Sequence, residues 1–134
     1  MKTLTFILCA VFAIAPQSGS DDPIGAFTRS PNEHIINEVN QPFEVGLIQG
    51  LIKLENGFGP LADVLFEIQG PGHDRRIRRC TTDKDGRFKI RRVPQGTYRF
   101  KATRESFQSE MGTIIVSKKS PKTNEITITM HVGV

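Results

Sequence analysis

The chain has no tryptophan and a single tyrosine, Tyr98. Sugar-binding surfaces rely on exposed aromatic faces, so this scarcity leaves little for a carbohydrate platform. Cysteine is as scarce. There are two, and Cys9 lies in the apolar run at the start of the chain, so a chain trimmed of that run keeps only Cys80 and has no intrachain disulfide. Three histidines, His34, His73 and His131, are too far apart for a zinc-ligand spacing such as HExxH. No G-x-S-x-G elbow is present, and Gly46, Gly50, Gly57 and Gly59 are too irregular for a phosphate-cradling loop. These absences point away from an enzyme: no catalytic residue, cofactor site or metal site is expected. No stretch carries a long helical apolar stripe, and no second long apolar run follows the first.

That first run has a clear meaning. Lys2 precedes an apolar run of twelve residues at 4–15 (LTFILCAVFAIA), interrupted only by Thr5, and small residues follow at Ser18-Gly19-Ser20. This is the layout of a secretory signal peptide over residues 1–20, too short to span a bilayer as a helix. Pro16 disfavours cleavage after Ala15, so the expected cut follows Ser20. The mature chain is then secreted or periplasmic, with no transmembrane segment. Removal of Lys2 leaves 17 of the 18 basic residues against 14 acidic ones, a net charge of +3. Residues 21–44 contain three prolines and no sustained period, reading as an arm or linker with a short helical turn near 33–39.

From residue 45 to 134 the texture changes to one domain of short β-rich runs broken by turn residues. The runs are 46–54, 64–69, 77–82, 87–92, 97–103, 113–118 and 125–132. In residues 64–69 the apolar Val64, Phe66 and Ile68 alternate with other residues, and in 87–92 Phe88 and Ile90 oppose Arg87, Lys89 and Arg91. Seven strands with turns at this rhythm predict an all-β sandwich. Phe66, Phe88, Tyr98 and Phe100 fall on inward positions, leaving Phe58, Phe107, Phe27 and Phe43 as the aromatics available for exposure.

Between two of these runs, residues 81–90 (TTDKDGRFKI) look at first like a calcium loop. Such a loop needs about six oxygen-bearing positions and ends in a bidentate glutamate. Here the acids stop at Asp85, and Arg87 to Arg92 supply four cations that would repel the metal. A hairpin turn fits better, with Gly86 free to take a positive φ and Asp83 or Asp85 bonding the turn backbone. A three-residue loop places Cys80 inward beside Phe88 and Ile90, whereas a two- or four-residue loop turns it outward beside Lys89 or Arg91.

Together with residues 59–70 (GPLADVLFEIQG) and 93–100 (VPQGTYRF), this turn resembles the carboxypeptidase regulatory-like domain family. The likeness covers residues 46 to 132 and implies a transthyretin-like, seven-stranded Greek-key sandwich with a carbohydrate-binding-like fold and, most naturally, a bacterial envelope origin. It departs from the family pattern at two places, where Asp63 and Ser106 stand in positions the family usually gives to glycine.

Charge is concentrated late in the domain: residues 73–104 hold twelve Lys or Arg against three Asp. Alternation places Arg87, Lys89 and Arg91 outward on one strand, with Arg99 and Lys101 outward on what the 93–96 turn would make its neighbour. Like charges side by side in a sheet are costly, so Glu67 and Glu110 are expected to neutralise part of this face. A basic strand face also serves to keep an edge soluble. The functional expectation is an anion-binding face that meets an unidentified protein or acidic glycan at the envelope or outside. A neutral-sugar module is the alternative. Nucleic acid is disfavoured, since no aromatics interleave the cations.

Overall fold

Alternating apolar positions decide the strands, and the computed structural model, which describes residues 26–30, 35–70 and 76–133, contains nine of them. The first two are short, β1 (Ile36–Glu38) and β2 (Phe43–Val45). There follow β3 (Ile48–Leu54), β4 (Leu65–Gln69), β5 (Ile77–Thr81), β6 (Arg87–Ile90), β7 (Gly96–Thr103), β8 (Ser109–Val116) and β9 (Ile126–Met130). The last seven correspond to the seven expected runs. The signal-peptide reading concerns residues outside those described.

The strands make two sheets. The larger has the order β1-β8-β7-β4-β5, with β2 also paired to β8, and the smaller has β6-β3-β9. The inner faces bury Val45, Ile48, Ile52, Phe66, Ile68, Phe88, Phe100, Ile114, Ile126 and Met130 in one core. At its centre Phe66 stacks on Phe88 of the opposite sheet at 4.1 Å between ring centroids, and on Phe100 at 5.6 Å. Each such side chain contributes about 1.5–3 kcal/mol by leaving water. Gly50 sits where β3 meets β9: a Cβ there would lie 1.9 Å from the Ile126 carbonyl oxygen. Only glycine lets the two backbones come so close.

Three expectations need correction. First, residues 36–38 form a strand where a helical turn was expected. β1 and β2 run parallel to β8 and pair with its two halves, Ile36 opposite Ser109 and Phe43 opposite Ile114. A three-residue strand takes its hydrogen bonds from the edge it meets, so its own sequence carries little signal. These two cover the β8 edge, which would otherwise offer unpaired backbone groups.

Second, the Asp-Gly turn joins two sheets rather than closing a hairpin. β5 pairs with β4, and β6 pairs antiparallel with β3. The turn itself is tightly built. The Asp83 carboxylate accepts the N–H groups of Asp85 at 2.9 Å and Arg87 at 3.0 Å. The Gly86 N–H reaches the Asp83 carbonyl, and Gly86 has φ 74°. Third, β6 and β7 are not neighbours, because the 93–96 turn also changes sheets.

Candidate functional site

The sheet change after β6 separates the five cations expected to share one face. Arg87, Lys89 and Arg91 are exposed on or just beyond the small sheet. Arg99 and Lys101 belong to β7 in the large sheet. The five therefore do not form a single surface.

Their local partners differ as well. Arg87 pairs with Glu125 through one nitrogen, Nη1, which donates to both carboxylate oxygens at 2.9 Å. Arg99 donates to the Thr113 hydroxyl and forms a bidentate pair with Glu38, at 2.7 and 2.9 Å. That hydrogen bond draws the Glu38 pKa below the ordinary carboxylate range and pushes the Arg99 pKa up. Lys101 is wholly buried, and its Nζ donates to the Thr28 carbonyl at 2.7 Å. The acids expected to neutralise the face also do other work. Glu67 is fully buried and accepts two bonds from Arg79, at 3.1 and 3.0 Å. Glu110 meets Asn37 at 2.7 Å, and burial raises its pKa.

A different basic cluster replaces the expected one. Arg76, Arg78 and Arg92 line a pocket of about 350 Å³ together with Ile68, Gly70, Pro94 and Tyr98. Among the described lining residues there is no carboxylate. The strands explain the convergence. β5 is the outer strand of the large sheet, and the chain leaving β6 turns across the end of the sandwich beside it. The Arg78 guanidinium holds that crossing by donating to the carbonyls of Arg92 at 3.0 Å and Arg91 at 2.5 Å. Arg92 has φ 58°, a left-handed backbone that a long side chain adopts only at a cost. The Tyr98 hydroxyl donates to the Pro94 carbonyl at 2.7 Å and fixes the opposite wall. The pocket thus offers guanidinium groups over an apolar and aromatic floor, a combination suited to a planar or tetrahedral anion. Arg78 and Arg92 both lie within the basic stretch visible in the sequence, but their meeting depends on which strands pair.

The remaining candidates are quickly placed. Cys80 is opposite Phe66 in the β4–β5 register and packs, half-buried, against the core beside β6. It is only partly covered because β5 is an edge, and burial raises its thiol pKa. His131 bonds Glu55 at 2.6 Å, while His34 and His73 lie outside the described residues. No group of three His, Cys, Asp or Glu among the described residues is arranged to hold a metal ion. Of the four aromatics considered available, Phe27 is buried, Phe43 packs on the core, and Phe107 packs there too beneath Arg104. Phe58 alone of these stands out, 75% exposed. No described helix is long and apolar enough to cross a membrane.

Asp63 and Ser106 take φ 62° and 75°, the left-handed conformation that glycine usually supplies. Both residues therefore hold a backbone that glycine would adopt more easily. No curated protein sequence matches the chain. The carboxypeptidase regulatory-like domain family model matches residues 48–131, from the start of β3 to the residue after β9. With that match covering more than half of the chain, the chain belongs to the carboxypeptidase regulatory-like domain family.

Proposed function

We propose that this protein is an exported, non-catalytic binding module that engages anionic surfaces through the Arg78–Arg92 pocket. The observation that carries the reading is the convergence of Arg78 and Arg92 on one cavity lined by Ile68, Pro94 and Tyr98. Arg91, next to Arg92 in the chain and exposed, adds to the positive charge near it. The family is a generally non-catalytic β-sandwich module, and the leader-like start of the sequence supports export. An acidic glycan or the phosphates of an envelope lipid supply the anion chemistry; so does an acidic protein.

The test is binding of the mature protein to acidic and neutral polysaccharides across a salt series. Binding to the acidic polymer at low salt should weaken steeply as the screening length falls to about 8 Å at physiological ionic strength. Arg92→Gly removes a charge while suiting the backbone at φ 58°, so it should weaken binding by about tenfold or more without loss of fold. Salt-insensitive binding to neutral polysaccharide that depends on Phe58 would instead establish the sugar-module reading, which the exposure of that ring favours.

A further inference from the structure

The outer face of the large sheet should be its solvated side, yet its centre is the most deeply buried polar site among the described residues. Register places Arg79, Glu67, Lys101 and Met111 side by side on four adjacent strands. Residues 26–30 cross over this row. Phe27 is buried against Met111 and Ile77. Thr28 is read three ways: its N–H and hydroxyl donate to the Glu67 carboxylate at 3.0 and 2.9 Å, and its carbonyl accepts from Lys101.

These contacts have the character of recognition rather than of core packing. A buried acid and a buried amine are poor sources of stability but good sources of orientation and specificity. Here they read one residue's donor, acceptor and side chain, and Met111 and Ile77 receive the aromatic ring beside it. The residue being read is itself exposed on its outer side. If the crossing segment lifted away, Glu67 would keep its pair with Arg79 at 3.0 Å, and Lys101 would remain its cross-strand neighbour in water. An uncovered face therefore leaves no lone charge buried.

We propose that this face is a docking site for an extended Phe-Thr segment, filled by residues 26–30 of its own chain and open to the same segment of a second copy. Each copy carries one segment and one site, so exchange between two copies preserves every contact and changes only the connection, the low-cost route to a dimer. The proposal concerns a different surface from the arginine pocket and stands independently of it.

The first test uses the whole mature chain with Phe27→Ala and Thr28→Ala, which frees the site. A fluorescent peptide of residues 25–31 (GAFTRSP) should bind this variant at least tenfold more tightly than it binds wild type. In wild type the tethered segment competes at an effective concentration on the order of millimolar. The same peptide with alanine for Phe and Thr should not bind. A folded variant that ignores the peptide, or equal binding to both proteins, overturns the docking site. The second test mixes that variant with Glu67→Gln/Lys101→Met, which keeps its segment and lacks the site. A one-to-one heterodimer by light scattering, formed by neither protein alone, is expected. A mixture of two folded monomers overturns exchange with a second copy. If the second variant does not fold, peptide crosslinking between copies of wild type, scored at Phe27–Met111 contacts, decides the same question.

Discussion

Lys89 and Lys101 make the most instructive pair in the molecule. Both sit on alternating strands at positions facing away from the core. Lys89 lies on the small sheet and is exposed to water, whereas Lys101 lies on the large sheet and is completely buried. The difference is not in the strands but in what lies over them. Among the described residues, Arg87 and Lys89 on the outer face of the small sheet are exposed, and the large sheet is crossed by residues 26–30. Facing outward from a sheet and facing water are separate properties, and only the first follows from a two-residue period.

The comparison can be broken most forcefully at Lys101. Replacing it with alanine removes one member of a buried, hydrogen-bonded charge cluster and should destabilise the protein by about 3–5 kcal/mol. Lys89→Ala should stay within about 0.5 kcal/mol of wild type. Urea unfolding of the two variants measures the contrast, and equal midpoints would mean that the cover over Lys101 contributes nothing.

A second contrast concerns two turns with nearly the same backbone. Gly86 has φ 74° and Ser106 has φ 75°. At Gly86 an added Cβ would meet the Ile52 carbonyl oxygen at 2.6 Å, so Gly86→Ser should cost about 2–4 kcal/mol. Ser106→Gly relieves a strained residue and should gain about 0.5–1 kcal/mol once the extra freedom of glycine in the unfolded chain is counted. Thermal melts of the two variants should move in opposite directions.

Two carboxylates give the smallest effects, also of opposite sign. Glu38 titrates below its ordinary value, so its pair with Arg99 stabilises the fold above the ordinary carboxylate pKa and is lost as pH falls through the lowered one. Arg99→Ala should flatten that acid limb. Glu110 titrates above its ordinary value, so the folded state binds the proton more tightly and its contribution declines as pH rises through that range. Glu110→Gln should therefore be relatively more stable at neutral pH than at acid pH, as compared with wild type, in melts across a pH series.

How much of this was legible in the sequence varies with the range of the interaction. The seven long strands were readable because alternation is a local property; Asp63 and Ser106 stood out only against the family's glycines, and their left-handed backbone is seen in the structure. The pairing of β5 with β4 rather than β6 was not readable: the Asp83–Gly86 turn has the same local chemistry whether the chain returns along its own sheet or passes to the other. For the same reason the five-cation face dissolved into two sheets, and the arginine pocket went unseen. The partners of Arg99 and Lys101, Glu38 and Thr28, come from a stretch whose composition suggested only a linker. Nothing near either cation announces them.

The place of β3 at the centre of the small sheet also orders events in time. Its neighbours are β6 and β9, and its parallel pairing with β9 joins residues 50–54 to 126–130. β8 likewise collects β1 and β2 from the opposite end of the chain. A polypeptide made from its N-terminus therefore cannot complete the large sheet before β8 has emerged, or the small sheet before β9, and long-range closure of this kind is slow. The domain must assemble as a whole rather than strand by strand. Until then the apolar faces of β3, β4 and β7 stay open to whatever holds the unfolded chain.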